Sequence, residues 1–404
     1  MGHGRRAVVR LEDVATAAPP TAVLRRVGIN ALYLVPGEVG GTEIYARELV
    51  GALADQHPDA RFTVFAGVEA ASSLRAAGWP GNVRVHALPV RCRIKPLRVA
   101  AELSMLPVAA RRAGIELMHS LGTTTPLHGC GVRVVTVHDL IYDWYPGAFP
   151  AAARYGLKVL VPAGARRARR VQVSSEATRA EVRERFGLPA EKMDIVPLGL
   201  GMRKVLDATP ADELRRRFEL GAGPIVLSVA AALPHKNLDR LVRAFGALGE
   251  RDARLVLVGH AGRETERLRA LAAEQGVAER MRLTGWLADE DVEGFYAAAA
   301  AFVYPSLHEG FGMPVLEAMR RAVPTACADA TSLPEVAGDA ALMFDPRSED
   351  AIAGAVRALL HEPALAADLA ARGPARAAQF GWDRTARAAW ESYERAMART
   401  PGHP

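Results

Sequence analysis

Short apolar runs alternate with amphipathic stretches along the whole chain. Seven such runs precede residue 200, from "RVGINALYLV" to "KMDIVPLG", and six more follow residue 220, from "GPIVLSVA" to "ALMFD". Runs rich in β-branched residues and separated by helical patterns predict parallel sheets that helices cover on both faces. Two successive sets predict an α/β protein with two doubly wound, Rossmann-like domains.

The boundary between the two sets is expected near "VPLGLGMRKVLDATPADE", which is rich in Gly and Pro and has little periodicity. This places an N-terminal domain at residues 1–198 and a C-terminal domain at residues 199–380. The last amphipathic stretch, residues 381–398, is predicted to be a helix that crosses back onto the first domain.

Charge is divided unequally between the two halves. Residues 1–198 carry 26 basic and 17 acidic residues, a net +9, and the remainder carries 51 − 26 = 25 basic and 45 − 17 = 28 acidic residues, a net −3. The first half is therefore the better surface for an anionic partner. Arginine accounts for most of the basic residues throughout, which reads as a compositional bias, so no nucleic-acid partner is predicted.

Cysteine content and hydropathy place the protein in the cytoplasm. The 3 cysteines are far apart in sequence and fit neither a disulfide framework nor a zinc site. Arg5 and Arg6 are not followed by the apolar run of an export signal. The longest apolar stretch, residues 295–305, is far shorter than the ~20 residues that span a membrane.

The segment "HEGFGMPVLEAM", residues 308–319, carries the most specific chemistry. Pro314 is suited to the first position of a helix, whose free N–H groups would face the glycine loop and attract phosphate. Glu317, about one turn inside, could accept hydrogen bonds from a ribose diol, and Glu309 from a sugar. From the residues alone, a solvated Glu309 and a Glu317 that only complements the helix dipole fit equally well.

This segment resembles the Glu-x7-Glu motif of the retaining GT-B glycosyltransferases of family 4, the group 1 transferases that include mannosyltransferases. "GEVGGTEIYARELVGAL", "VVTVHDLIYDWYP", "HKNLDRLVRAF" and "TSLPEVAGDAALMFDP" resemble other parts of that family in the same order. The resemblance implies two Rossmann-like domains facing a central cleft. It also implies transfer of a hexose from a nucleoside-diphosphate sugar to a hydroxyl acceptor, with that sugar as co-substrate and no cofactor.

Site residues follow from the resemblance, position by position. His138, Lys236 and Glu309 match the catalytic residues: a histidine against the donor sugar, a lysine that neutralises the leaving diphosphate, and a glutamate on the sugar hydroxyls. The matching donor-binding positions are Gly40, Gly41, His235, Lys236, Leu287, Glu309, Gly310, Phe311, Gly312, Met313, Leu316 and Glu317. A buried histidine and a simple strand-to-helix turn remain the alternatives for His138 and for Gly40 with Gly41.

Two features bear on how the charge of the diphosphate is met. Many family members have an arginine about five residues before the lysine, whereas this chain has Ala231 in "SVAAALPHKN". Asp289–Asp291 formally match a metal-binding Asp-x-Asp motif, but they open a helical pattern, where acidic residues complement the dipole. We therefore expect no metal site.

The resemblance favours GDP-mannose as donor. A UDP- or dTDP-sugar such as dTDP-rhamnose or UDP-N-acetylglucosamine, or a non-catalytic nucleotide-sugar-binding module, remain the alternatives. The acceptor, a glycan, a lipid-linked or a small molecule, and the oligomeric state are left open. The segment 91–114 carries Arg91, Arg93, Lys95 and Arg98 beside an apolar helical pattern. This pattern predicts peripheral contact with the inner face of an anionic membrane. A core-packed helix with a solvated basic face is the alternative for that segment.

Overall fold

A computed structural model describes residues 24–38, 40–200, 207–262 and 264–398. All strands in it belong to two separate, entirely parallel sheets, which confirms the predicted α/β class. The first sheet has the order β3-β2-β1-β4-β5-β6-β7. Its strands are β1 (Arg26–Asn30), β2 (Arg61–Ala66), β3 (Val83–Ala87), β4 (Leu117–Ser120), β5 (Val132–Val137), β6 (Arg170–Val173) and β7 (Met193–Ile195).

The second sheet has six strands in the order β10-β9-β8-β11-β12-β13. They are β8 (Ile225–Val229), β9 (Arg254–Val258), β10 (Met281–Gly285), β11 (Ala299–Tyr304), β12 (Thr325–Ala328) and β13 (Leu342–Phe344). Each of the thirteen apolar runs therefore overlaps one strand. Burial explains most of the pattern, because both faces of the central strands are covered; the edge strand β3 is the exception, since its exposed residues Arg84 and His86 alternate with half-buried ones.

Helices connect the strands and cover both sheets. In the first part of the chain they are α1 (Gly41–Gln56), α2 (Val68–Arg75), α3 (Lys95–Leu103), α4 (Met105–Arg112), α5 (Ile141–Trp144), α6 (Ala151–Arg167) and α7 (Glu176–Phe186). In the second part they are α8 (Ala211–Arg217), α9 (Leu238–Ala247), α10 (Thr265–Glu274), α11 (Asp289–Ala298), α12 (Met313–Arg320), α13 (Leu333–Ala337), α14 (Glu349–His361), α15 (Pro363–Ala377) and α16 (Trp382–Met397).

The last helix, α16, packs on the first sheet although it follows the second domain in sequence. Its apolar face, including Trp382 and Tyr393, joins the core formed by β1, β2 and α1. The Tyr393 hydroxyl lies 2.7 Å from Nδ1 of the buried His119 on β4. The predicted boundary at residues 198/199 falls between β7 and α8, and residues 201–206 beside it lie outside the described residues.

Both sheets reverse their strand order once, between β1 and β4 and between β8 and β11. In open parallel sheets, ligands bind beyond the carboxyl ends of the strands at such a reversal. His138 directly follows β5, Lys236 follows β8 and Glu309 follows β11. The fold therefore brings residues from distant parts of the sequence to the carboxyl edges of the two sheets.

The segment 91–114 forms two helices, α3 and α4, which meet at Ser104. Leu106 and Ala110 of α4 join a small core against β2 and β4, while Ile94 and Leu97 at the start of α3 are about half exposed. Within the described residues, no helix is both long enough and apolar enough to cross a membrane.

Candidate active site

A buried ion pair lies at the carboxyl edge of the second sheet. Nζ of Lys236 is 2.6 Å from Oε1 of Glu309, and the two side chains are only 15% and 10% exposed. The Tyr304 hydroxyl, at the end of β11, lies 3.0 Å from this Nζ and 2.9 Å from the same carboxylate oxygen. The three polar groups form a closed triangle, in which the lysine and the tyrosine both donate to the glutamate.

The surroundings keep Glu309 ionised. Burial would raise the pKa of Glu309, but the charge of Lys236, with smaller contributions from His235 and from hydrogen bonds, holds it below its ordinary value. Burial, and then the neighbouring Lys236, lower the pKa of His235 to about 4, so this imidazole is neutral at pH 7. Glu309 is thus the acceptor and Lys236 the cation of the cluster.

The glycine loop after Glu309 is held by its own domain on one side. The Ser332 hydroxyl donates to the backbone oxygens of Glu309 at 3.0 Å and of Phe311 at 2.7 Å. The Phe311 ring is buried and lies edge-on to Phe380 at 5.6 Å. Its side chain is therefore part of the core, and only its backbone is available to a ligand.

Gly310 contacts the first domain so closely that no side chain would fit. A Cβ at this position would lie 1.8 Å from the backbone oxygen of His138. Gly312 has φ 116°, a conformation that other residues rarely adopt, and immediately precedes α12. Gly310 thus allows the two domains to approach closely, and Gly312 allows the chain to turn into the helix.

Helix α12 begins at Met313, one residue earlier than the predicted start at Pro314. Pro314 is then the second residue of the helix. An N–H at this position has no partner within the helix, so a proline there costs no helical hydrogen bond. The N–H of Val315 donates to the Gly312 oxygen at 3.1 Å, so the first turn offers fewer free donors than expected. The Leu316 side chain is fully buried, which restricts this residue to backbone contacts.

Glu317 lies on the side of α12 that faces helix α1 of the first domain. One of its carboxylate oxygens accepts from the Tyr296 hydroxyl at 3.0 Å. Glu317 and Met313 line a cavity of about 100 Å³ together with Ile44 and Glu48 of α1. The two glutamates of the motif therefore have different surroundings: Glu309 is ion-paired and buried, whereas Glu317 lines an open space between the domains.

His138 is both buried and within reach of the glycine loop, so its two alternative interpretations are compatible. Its Nε2 lies 2.8 Å from the backbone oxygen of Leu121 and must donate, which leaves Nδ1 as an acceptor. Burial lowers the pKa of His138 and raises the pKa of the adjacent Asp139. The Tyr45 ring lies edge-on to the imidazole at 4.8 Å and fixes its orientation.

Gly40, Gly41 and Leu287 belong to other elements of the two domains. Gly40 caps α1 with φ 55°, and both Gly40 and Gly41 are exposed with open space where a Cβ would be. Leu287 follows β10 and packs partly against the second core. Of the predicted residues, His138, His235, Lys236, Glu309 and Gly310 are thus brought together.

Two groups of the site were not assigned from the sequence. Tyr304 lies five positions before Glu309, at the end of β11. Its place at the carboxyl edge of a predicted strand was the only feature of the sequence that could have indicated a role in the site. Asp139 follows His138 directly, in the quoted segment "VHDL", and is half-buried near His308 and Glu309.

Asp289 to Asp291 form the first turn of α11. Asp291 accepts from the Thr209 hydroxyl at 2.7 Å and is ion-paired with Arg217. The expected interpretation of these residues as complements of the helix dipole therefore agrees with their position, although the residue that caps the helix is Ala288.

Comparison with known families covers nearly all of the described chain. A family model described as glycosyltransferase family 4 matches residues 39–201. A second model, described as glycosyl transferases group 1, matches residues 211–376. The first match contains β2 to β7 and the second contains β8 to β13, whereas β1 and α16 lie outside both.

Two relatives are similar over long stretches. O-antigen chain mannosyltransferase B of Escherichia coli is 34% identical over 256 residues, which are 62% of this chain and 67% of that protein. The GDP-mannose-dependent alpha-(1-6)-phosphatidylinositol monomannoside mannosyltransferase of Mycobacterium tuberculosis is 30% identical over 382 residues, 86% of this chain and 93% of that protein.

Solved structures show the same architecture. Anabaena HepE in complex with UDP and glucose superposes with a TM-score of 0.72 at 19% identity, covering 91% of this chain and 99% of its own. This likeness concerns the fold alone, and the relatives above supply the family. The chain therefore belongs to the group 1 glycosyl transferases of glycosyltransferase family 4, and it is a hexosyltransferase with the GT-B fold.

Proposed function

We propose that this glycosyltransferase moves mannose from GDP-mannose to a hydroxyl of a glycan, lipid-linked or small-molecule acceptor, with retention at the anomeric carbon. The observation that carries the proposal is the buried Lys236–Glu309 pair at the carboxyl edge of the second sheet. The choice of mannose is supported by the two relatives, both named as mannosyltransferases and one as GDP-mannose-dependent.

In this proposal Lys236 stabilises the leaving diphosphate. A lysine ammonium has three donors, and Glu309 and Tyr304 take two of them, so one remains for a phosphate oxygen. A positive charge placed in advance where negative charge develops is usually the largest single contribution to catalysis. Met313 and Leu316 would add backbone N–H groups of the first turn of α12 on the same side, whereas the N–H of Val315 is already bonded to Gly312.

Glu309 and Glu317 have separate roles in the proposal. Glu309 stays ionised and can accept hydrogen bonds from hydroxyls of the donor sugar, so it would orient the anomeric carbon. Glu317 keeps acceptor capacity beside Tyr296 and would hold the ribose of the nucleotide. His138, neutral and with Nδ1 as acceptor, can receive a hydrogen bond from the sugar but cannot act as a general acid.

Retention then follows from attack on the face that the leaving group occupies. The bond from the anomeric carbon to the diphosphate oxygen breaks, and the bond to the acceptor oxygen forms on the same side. The acceptor's proton passes to the leaving phosphate. The protein contributes charge and orientation, and we propose that Lys236 meets the charge of the diphosphate without a metal ion.

Nucleotide release from a panel of donors tests this function. We expect GDP release from GDP-mannose with candidate acceptors, an α-linked product by NMR, and activity that EDTA leaves unchanged. Lys236→Ala should slow release at least about a hundredfold, whereas Lys158→Ala, which changes an exposed lysine of the first domain, should leave it unchanged. Turnover of only a UDP- or dTDP-sugar would overturn the donor assignment, and tight nucleotide binding without release would favour a non-catalytic module.

We also propose that the protein acts in the cytoplasm, peripherally at the inner face of the membrane. Arg93 and Lys95 stand beside Ile94 and Leu97, two apolar side chains that are 47% and 49% exposed. Exposed apolar groups among cations are suited to an anionic lipid surface, to which each basic residue contributes ~1 kcal/mol. The net charge of +9 in residues 1–198 also favours contact between the first domain and an anionic membrane.

A further inference from the structure

A carboxylate of the second domain binds the start of a helix of the first domain. Glu335, in α13, accepts from the backbone N–H of Glu176 at 2.8 Å and from that of Ala177 at 2.7 Å. These are the first two residues of α7. At that end the helix dipole is positive and N–H groups lack partners within the helix, so a carboxylate is well placed there.

The remaining donors at this helix end are also used. Ser175, the N-cap of α7, accepts from the N–H of Thr178 at 3.1 Å. The first three N–H groups of α7 are therefore satisfied, two of them by the other domain. A cap that is shared in this way can form only while the two domains are in contact.

The same helix end also holds the glycine loop of the candidate active site. The backbone oxygen of Gly310 accepts from the hydroxyls of Ser174 at 2.7 Å, Ser175 at 2.9 Å and Thr178 at 3.2 Å. Glu309 precedes this carbonyl directly. The end of α7 thus binds the glycine loop through its hydroxyl groups, and it binds α13 through its backbone N–H groups.

We infer that Glu335 is a positioning residue for sugar transfer. It closes the second domain onto α7 and so holds the loop 308–312, with Glu309, against His138. The inference rests on the proposed function, because it assumes that Glu309 and His138 face the same donor sugar. Glu335 itself need not contact either substrate.

The contacts of Glu335 indicate that its carboxylate joins the two domains and does not stabilise the core of either one. Its backbone oxygen accepts from Arg376, but in the part of the chain that the structure describes its carboxylate forms no ion pair and its side-chain hydrogen bonds go to α7. The side chain is also exposed. Removing it should therefore weaken the contact between the domains and leave each core intact.

The first experiment compares Glu335→Ala with Glu290→Ala, which removes an exposed first-turn carboxylate of α11. We expect Glu335→Ala to lower kcat/KM for transfer about tenfold, because it removes two hydrogen bonds to a charged group that is itself exposed to solvent. Affinity for GDP should stay within about twofold, because the proposed nucleotide contacts lie on the second domain. Glu335→Gln, which keeps one acceptor oxygen and the shape, should fall between wild type and Glu335→Ala.

The second experiment removes the donor and leaves Glu335 in place. Glu176→Pro deletes one of the two N–H groups at a helix position that favours proline, and Ser175 before it is extended, as a residue before proline must be. Glu176→Ala is the matched control, since it removes the same side chain and keeps the N–H. The double variant Glu176→Pro/Glu335→Ala should be no more impaired than Glu335→Ala alone.

Small-angle scattering gives a readout that does not depend on turnover. With GDP present, Glu335→Ala and Glu176→Pro should show a larger radius of gyration than wild type and the two controls, with the same circular dichroism. Unchanged scattering and an unchanged kcat/KM in Glu335→Ala would overturn the inference, as would equal losses in Glu290→Ala. If wild type transferred no sugar, the proposed function would fail, and scattering alone would decide whether Glu335 holds the domains together.

Discussion

The pair of Lys236 and Glu309 makes a prediction about stability that needs no substrate. In the variant Lys236→Met the carboxylate of Glu309 stays buried without its cation. Removing one partner of a buried ion pair typically costs 3–5 kcal/mol. We expect about 3 kcal/mol, the lower end, because the Tyr304 hydroxyl still donates to Glu309 and the carboxylate keeps a tenth of its exposure.

The sign of the pH dependence follows from the direction of each pKa shift. In wild type the pKa of Glu309 is lowered, so the stabilisation by the pair is present above the ordinary carboxyl pKa and is lost as the pH falls through the lowered value. Without Lys236, burial dominates and raises the pKa of Glu309. The variant should therefore be closest to wild type near pH 4, and its deficit should grow toward pH 7.

Urea unfolding followed by circular dichroism between pH 4 and pH 7 measures this deficit. Lys158→Met is the matched control, because Lys158 pairs with Asp143 at 2.5 Å but is 41% exposed, and such pairs contribute ~0–1 kcal/mol. Adding Glu309→Gln to Lys236→Met should recover most of the loss. A deficit independent of pH, or one equal to that of Lys158→Met, would show that the pair does not hold a buried charge.

Three further predictions concern activity and binding. Lys236→Ala should lower kcat by at least about a hundredfold, as is typical for the loss of one such donor, and near-normal turnover would contradict its role at the diphosphate. Glu317→Ala should weaken binding of free GDP in calorimetry, whereas Glu309→Ala should spare GDP binding and impair transfer; equal losses of GDP affinity would refute this division. Wild type should sediment with anionic liposomes, less so with added salt or after Arg93, Lys95 and Arg98 become Ser, and protein that stays in the supernatant at low salt would exclude the membrane contact.

The strands and the class of fold could be predicted from the sequence because burial leaves a direct trace in it. A strand covered on both faces is mostly apolar, and each of the thirteen apolar runs overlaps a strand of the two parallel sheets. The motif around Glu309 and Glu317 was equally visible, since glycines and a proline at a helix start are local requirements. Only the exact beginning of α12 differed, by one residue.

What the sequence could not determine depends on distances between residues far apart in the chain. Lys236 and Glu309 are 73 positions apart in sequence. Only the carboxyl edge of the second sheet brings Nζ of Lys236 to 2.6 Å from Oε1 of Glu309, with the Tyr304 hydroxyl in contact with both. Likewise, nothing local to Glu335 indicates that its carboxylate caps α7, 159 positions earlier. Burial and hydrogen bonding across such separations are set by topology, so the pattern of residues determined the two domains, and their packing determined the site between them.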